Sequence, residues 1–130
     1  MEEDRRSAGV ATRRHVLGDA HVDRAGAAAD AFDAPFQDLI TGGAWGSVWS
    51  RPDLTLRERS LITLALLAGL GHWDEFAMHV RATARTGASA EDIREALLHV
   101  AIYAGAPAAN KGFKLARAAL AERDGAEGPP

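Results

Sequence analysis

The sequence has no cysteine. That one absence excludes disulfides, thiolate metal sites, cysteine nucleophiles and CxxC redox chemistry together. Lysine is scarce as well: of fifteen basic residues only Lys111 and Lys114 are lysine. The available cation is therefore arginine, whose rigid planar fork matches a carboxylate, although high-GC coding would give the same bias along with the many Ala and Gly. No apolar run is long enough for a membrane span. The longest, residues 61–70, is interrupted by Thr63 and Gly69. The opening Met-Glu-Glu-Asp-Arg-Arg has no apolar stretch behind it, so no secretory signal is expected and the expected compartment is the cytoplasm. A formal net charge of −3 supplies no field that favours nucleic acid. Neither nucleic acid nor membrane is expected as a partner.

A chain of 130 residues suits one compact domain. At this size roughly 65–70% of the unfolded surface is buried on folding. That leaves little material to wall a deep private cavity, a first hint that a neighbouring subunit helps. Residues 1–14 are charged and without periodicity, and read as a flexible N-terminal arm. Residues 15–122 read as a single helical domain, and the Gly/Pro/acidic stretch 123–130 as a disordered tail. Within the domain, 22–33 is Ala-rich and modestly amphipathic, and a short helix begins near Pro35 and stops at Gly42-Gly43. The stretch AWGSVWSRPD, 44–53, reads as a structured loop. Residues 56–70 form a helix that is apolar almost all round past Ser60, and so is expected to be buried. A helix over 72–86 should stop at Gly87. Ser89 should cap the next, with Glu91 and Asp92 in its first turn. Ile93, Ala96, Leu97, Val100, Ala101 and Ala104 then repeat at helical spacing. Pro107 should open a last helix to about Glu122. No segment alternates as a half-buried strand does. The expected fold class is all-α, with about six helices.

Three stretches have chemical potential: 45–59, 72–79 and 103–110. Glu75 and His79 are four residues apart and share a helix face, the arrangement by which a carboxylate orients an imidazole for proton transfer. His72 lies a turn further back, a spacing that also admits a metal, although no fourth ligand is evident and His72 can equally cap the helix. The plain alternative is an i,i+4 pair on a solvated face. Arg51, Arg57 and Arg59 can grip a dianion, or pair on the surface with Asp53 and Glu58. Trp45 and Trp49 can wall a site, or pack in a core or subunit contact. Tyr103 and Asn110 can donate to a ligand, or be satisfied internally. Spacing by itself reaches only a helical domain with a possible acid–base pair.

The stretches VLGDAHVDRA (16–25), AWGSVWSRPDL (44–54), RERSLITLALLAGLGHWDEFAMHV (57–80), TGASAEDIREALLHVAIYAGAPAAN (86–110) and FKLA (113–116) go further. In this order, covering nearly all of the expected domain, they resemble the carboxymuconolactone decarboxylase family within the AhpD-like group of helical proteins. Peroxidase-type members of that group carry a CxxC pair near a His. Here His79 stands at the corresponding place with Glu75 and no Cys, and Ser60 stands where the redox members tend to carry a relay glutamate. Both departures point to the decarboxylase branch. The resemblance also implies a homo-oligomer, a trimer or a ring-like homohexamer, with active sites near subunit contacts.

The implied reaction is cofactor-independent and metal-free decarboxylation of 4-carboxymuconolactone to 3-oxoadipate enol-lactone and CO2, in protocatechuate catabolism through the β-ketoadipate pathway. The substrate is a small dicarboxylate lactone that contains its own electron sink, so the resemblance implies no cofactor. His79 would donate the proton, oriented by Glu75. Arg51 or Arg59 would hold a carboxylate, Trp45 and Trp49 would exclude water, and Tyr103 or Asn110 would donate to the lactone oxygen. The alternatives are a related decarboxylase acting on another carboxylated lactone or keto acid, and a non-catalytic helical oligomer used as a binding module.

Overall fold

The computed structural model describes residues 2–127. Among these are seven α-helices, one π-helix and no strand: α1 (Glu2–Leu17), α2 (Asp19–Ala28), α3 (Ala34–Ile40), π1 (Thr41–Trp49), α4 (Leu56–Leu70), α5 (Trp73–Thr86), α6 (Ala90–Tyr103) and α7 (Ala106–Glu127). The all-helical expectation holds. The chain divides into two compact units, Met1–Thr55 and Leu56–Pro130. No helix among the described residues is long and apolar enough to cross a membrane.

In the first unit, the expected arm at 1–14 is instead most of α1. Its charges suit a helix macrodipole, with Glu2, Glu3 and Asp4 in the first turn and Arg14 and His15 in the last. Its own buried residues are few: Gly9, Val16 and Leu17. What fixes it is contact with segments distant in sequence, which local periodicity does not register. Arg6 donates to Asp38 at 2.7 Å, Arg5 to Ser47 at 3.2 Å, and the Thr12 and Ser50 hydroxyls meet at 2.7 Å. Gly18, at φ 90°, ends α1, and Arg14 reaches across the break to Asp19 (3.0 Å) and Asp23 (2.8 Å) on α2.

The expected stop at Gly42-Gly43 and the expected loop at 44–53 are also replaced. The chain runs from α3 into π1 without interruption, straight through both glycines. Hydroxyls supplement the widened turns: Ser47 donates to Gly42 O at 3.1 Å and Ser50 to Trp45 O at 2.7 Å, each five residues back. Helix α1 lies against π1 at Gly9 and Gly46, where neither side has room for a Cβ.

The second unit follows the sequence more closely. Ser89 caps α6 by accepting from the Asp92 N–H (3.1 Å), while Asp92 accepts from the Ser89 N–H (3.0 Å), a complete capping box. Gly87 ends α5 in the left-handed region. The core is formed by Leu64 and Ala68 of α4, Phe76 and Val80 of α5, Ile93, Leu97 and Val100 of α6, and Ala109, Ala116 and Ala119 of α7. Helix α7 continues to Glu127, past the expected end at 122, so the expected tail is helical as far as it is described; the remainder of that tail lies outside the described residues. Arg123 holds this stretch down by donating to Thr83 Oγ1 at 2.9 Å and to Ala88 O at 3.2 Å. One expectation fails here too. Helix α4 buries only Ser60, Leu64 and Ala68, while Ile62, Leu66 and Leu70 on its other side are exposed.

Candidate active site

The second unit holds Arg59, Glu75, His79, Tyr103 and Asn110; the first holds Trp45, Trp49 and Arg51.

Helix α5 carries the imidazole. Phe76, His79, Val80 and Thr83 form its inward stripe, and His79 is 7% exposed among otherwise apolar or hydroxyl neighbours along that stripe. Glu75, one turn earlier, is exposed. The shared face inferred from spacing thus straddles the edge between core and solvent. His72 occupies the N-cap position of α5, but its side chain makes no capping bond. Among the described residues no three His, Asp or Glu side chains are grouped to hold a metal ion.

Helix α4 carries Arg57, Arg59 and Ser60. Arg57 forms a fork with Asp92, Nε to Oδ2 at 2.7 Å and Nη2 to Oδ1 at 2.5 Å. Its partner is thus on α6. This pair, and then the Ser89 N–H, hold the Asp92 carboxyl well below the usual carboxylate range and raise the guanidinium in turn. Arg57 is therefore committed to joining α4 and α6. Arg59 is half-buried. Ser60 is fully buried and donates to Thr86 Oγ1 at 2.7 Å, tying α4 to the end of α5.

In the first unit Trp45 and Trp49 are both buried on π1, ring centroids 5.1 Å apart and planes tilted by 31°. Arg51 pairs with Asp53 at 2.9 Å on the surface.

Tyr103 and Asn110 are both exposed, Tyr103 at 86%. Neither is a buried, internally satisfied polar residue. Tyr103 stacks instead on His99, centroids 6.4 Å apart and planes 14° from parallel. His99 went unremarked in the sequence although the spacing Glu95, His99, Tyr103 marks one helix face. It lines three adjoining grooves of about 580, 330 and 360 Å³ on the outer side of α4 and α6.

Comparison with known proteins fits this helical architecture. Residues 34–118 match the model of the carboxymuconolactone decarboxylase family. A 4-carboxymuconolactone decarboxylase from Acinetobacter baylyi is 42% identical over 115 residues, 88% of this chain and 86% of the relative. A nitrosuccinic acid decarboxylase from Metarhizium robertsii is 44% identical over 99 residues, 76% of this chain and 69% of its own. A 4-carboxymuconolactone decarboxylase from Pseudomonas putida is 49% identical over 45 residues, 35% of this chain and 94% of that sequence. The class these define is an all-helical carboxy-lyase. The chain belongs to the carboxymuconolactone decarboxylase family.

Proposed function

We propose that the protein converts 4-carboxymuconolactone to 3-oxoadipate enol-lactone and CO2. The observation that carries this reading is a buried imidazole, His79, on the inward stripe of α5, in a chain that aligns over most of its length with an enzyme named for that substrate. As the C–C bond to the departing carboxylate breaks, its electron pair moves through the ring double bond into the lactone carbonyl. One proton then returns to the ring carbon beside that carbonyl. The net change is loss of CO2 and gain of H⁺, with no electrons left over.

Each demand falls to a residue type that is present. His79, as imidazolium, delivers the proton and is recharged from water. Its burial limits competing solvent and strengthens its field at the reacting carbon. Arg59 holds a substrate carboxylate, a charge-assisted contact that contributes roughly 1.5–3 kcal/mol. Glu75 is assigned to orienting the imidazole from the solvent edge of the same helix. Arg51, Trp45 and Trp49 are assigned to carboxylate recognition and shielding, each open to a separate kinetic test. Tyr103 and Asn110, exposed as they are, can serve the lactone oxygen only where a neighbouring copy encloses them.

A second substrate class is favoured by one finding, the 44% identity to a nitrosuccinic acid decarboxylase. Nitrosuccinate, like the lactone, is a dicarboxylate whose departing carboxylate sits on a carbon joined to an electron acceptor, there a nitro group. The same proton donor and carboxylate anchor would suit both.

The test is CO2 release from freshly prepared 4-carboxymuconolactone and, in parallel, from nitrosuccinate, each with and without chelator. The primary reading expects the higher kcat/KM with the lactone, unaffected by chelator. A preference for the nitro acid would replace it, and no release from either would end both. His79→Ala should lower turnover of folded protein by roughly 10²–10⁴-fold; turnover close to wild type removes His79 from the chemistry. Glu75→Gln should displace the pH–rate profile, and an unmoved profile makes Glu75 a surface residue. Arg51→Lys and Arg59→Lys keep charge but lose the fork, so KM should rise. An arginine whose Ala variant is kinetically silent is structural.

A further inference from the structure

Helices α6 and α7 pack together without closing completely. Ile93 and Leu97 of α6 and Ala116 of α7 are buried in the core, while Phe113 and Leu120 of α7 are only half-buried against it. Between them lies an apolar pit of about 160 Å³. Its cause is legible in the sequence. Ala90 and Ala116 stand in its lining, and alanine carries too little side chain to fill the space between larger neighbours. An apolar cavity of about 150 Å³ lined by Leu, Ile and Phe takes one benzene molecule, so this pit has the capacity of a single ring.

The two remaining side chains of the lining are Arg94 of α6 and Arg117 of α7. Both are exposed, and none of the described lining residues is acidic. A long arginine lays its alkyl stem on apolar surface and holds its guanidinium in water at the edge. Here two such stems come from two different helices to one pit. Arg94 meets its neighbour Glu95 at 3.3 Å, with both side chains mostly in solvent, a surface pair that an incoming anion displaces at little cost. Among the described residues Arg117 forms no ion pair, and Lys114, one turn earlier on α7, adds positive charge on the same side.

We propose that this pit binds a small monocarboxylate whose apolar body is about one ring in size. The ring displaces water from Ile93, Leu97, Phe113 and Leu120. The carboxylate stays at the mouth between Arg94 and Arg117, each offering a planar fork that matches its two oxygens. A neutral ring would gain burial alone, and an anion without an apolar body only a solvent-screened attraction. The lining selects for the two parts together. None of these residues is assigned to the reaction proposed above, so the site can fail without touching that reading.

The test is methyl NMR on the full chain, labelled at Ile and Leu and titrated separately with benzoate, benzyl alcohol and acetate. Ring-current shifts at the Ile93, Leu97 and Leu120 methyls should saturate with benzoate at millimolar concentration or below. Benzyl alcohol and acetate should each bind on the order of tenfold more weakly, as loss of a hydrogen bond to a charged group or of the ring's burial does. Arg94→Gln and Arg117→Gln each change an exposed side chain, so the unliganded spectrum should persist while benzoate weakens by about tenfold. Arg117→Lys should recover only part of that loss, since it restores the charge without the fork. Benzoate should also raise the Tm of the wild type more than that of Arg117→Gln. Unshifted Ile93 and Leu97 methyls at tens of millimolar benzoate overturn the inference, as do shifts confined to the surroundings of His79. Equal affinity for benzyl alcohol or acetate, or undiminished affinity in both folded Gln variants, overturns it as well.

Discussion

The contact of α1 with π1 yields a sharp prediction, because both obstacles at Gly9 are backbone. A Cβ added there would sit inside the van der Waals surface of Thr41 O, 2.9 Å from Gly46 N and 3.2 Å from Gly46 Cα. No rotamer relieves a clash with main chain, so α1 must withdraw from π1. Overpacking of this kind costs about 1–3 kcal/mol, against an intrinsic gain of roughly 0.5–1 kcal/mol for alanine over glycine inside a helix. Gly9→Ala should therefore be net destabilising by about 1–2 kcal/mol, which at an m-value of about 1–3 kcal/mol/M lowers the urea midpoint by about 0.3–2 M. Gly46→Ala should behave alike, since its Cβ would meet Arg5 O and lie 2.8 Å from Arg5 Cγ. Gly26→Ala is the control of opposite sign. It lies in α2 with nothing within 4 Å of the added carbon, so only the helix gain of about 0.5–1 kcal/mol remains. In a Trp73→Phe background the fluorescence comes from Trp45 and Trp49 alone and reports π1. A Gly9→Ala midpoint equal to or above wild type would refute the close approach.

The second unit supplies four more. Ser60→Ala leaves the buried Thr86 hydroxyl without its donor and should cost about 1–3 kcal/mol, while Ser60→Ala with Thr86→Val should cost less than the sum of the singles; strict additivity in urea melts would dissolve the pair. Ser89→Ala should lose about 1 kcal/mol of thermal stability through the α6 cap. The Asp92 carboxyl is depressed first by Arg57 and then by the Ser89 N–H, so its contribution is complete above the ordinary carboxylate range and vanishes as pH falls through its own lower value. The acid limb of the Tm–pH profile should thus flatten in Asp92→Asn, and parallel profiles would show the fork contributes nothing. Phe76→Ala, emptying a fully buried site between α4, α6 and α7 neighbours, should cost about 3–5 kcal/mol by denaturant unfolding.

What the sequence disclosed, and what it hid, divides along the range of the interactions. Ser89 with Asp92, and Gly87, fix their helix ends through atoms within three or four residues, so those boundaries were legible. Helix α1 was not, because its identity as structure depends on Asp38, Ser47 and Ser50. Nor was π1, where glycines that would punctuate an α-helix are instead accommodated in a wider turn that packs against Gly9. The Glu75/His79 pair shows a subtler limit. Four residues advance a helix by about one tenth more than a full turn, so two such positions lie close together without being equivalent. When one sits at the border of the buried stripe, as Glu75 does, the first falls in water and the second in the core.

The arginine content illustrates the same limit at the level of chemistry. An excess of guanidinium forks suggested carboxylate recognition, but the protein's own carboxylates occupy many of them: Arg6 with Asp38, Arg14 with Asp19 and Asp23, Arg51 with Asp53, Arg57 with Asp92. These pairings differ in how readily a substrate can compete. Arg57 is held by two short bonds to a carboxylate that is also locked in a helix cap, and displacing it would unfasten α4 from α6. The Arg51–Asp53 pair has both side chains mostly in solvent, the kind of bridge that contributes about 0–1 kcal/mol. Among the arginines of the conspicuous 51–59 cluster, Arg57 is therefore the one whose substitution should register in stability, while the proposed reaction expects substitution of Arg51 and Arg59 to register in KM.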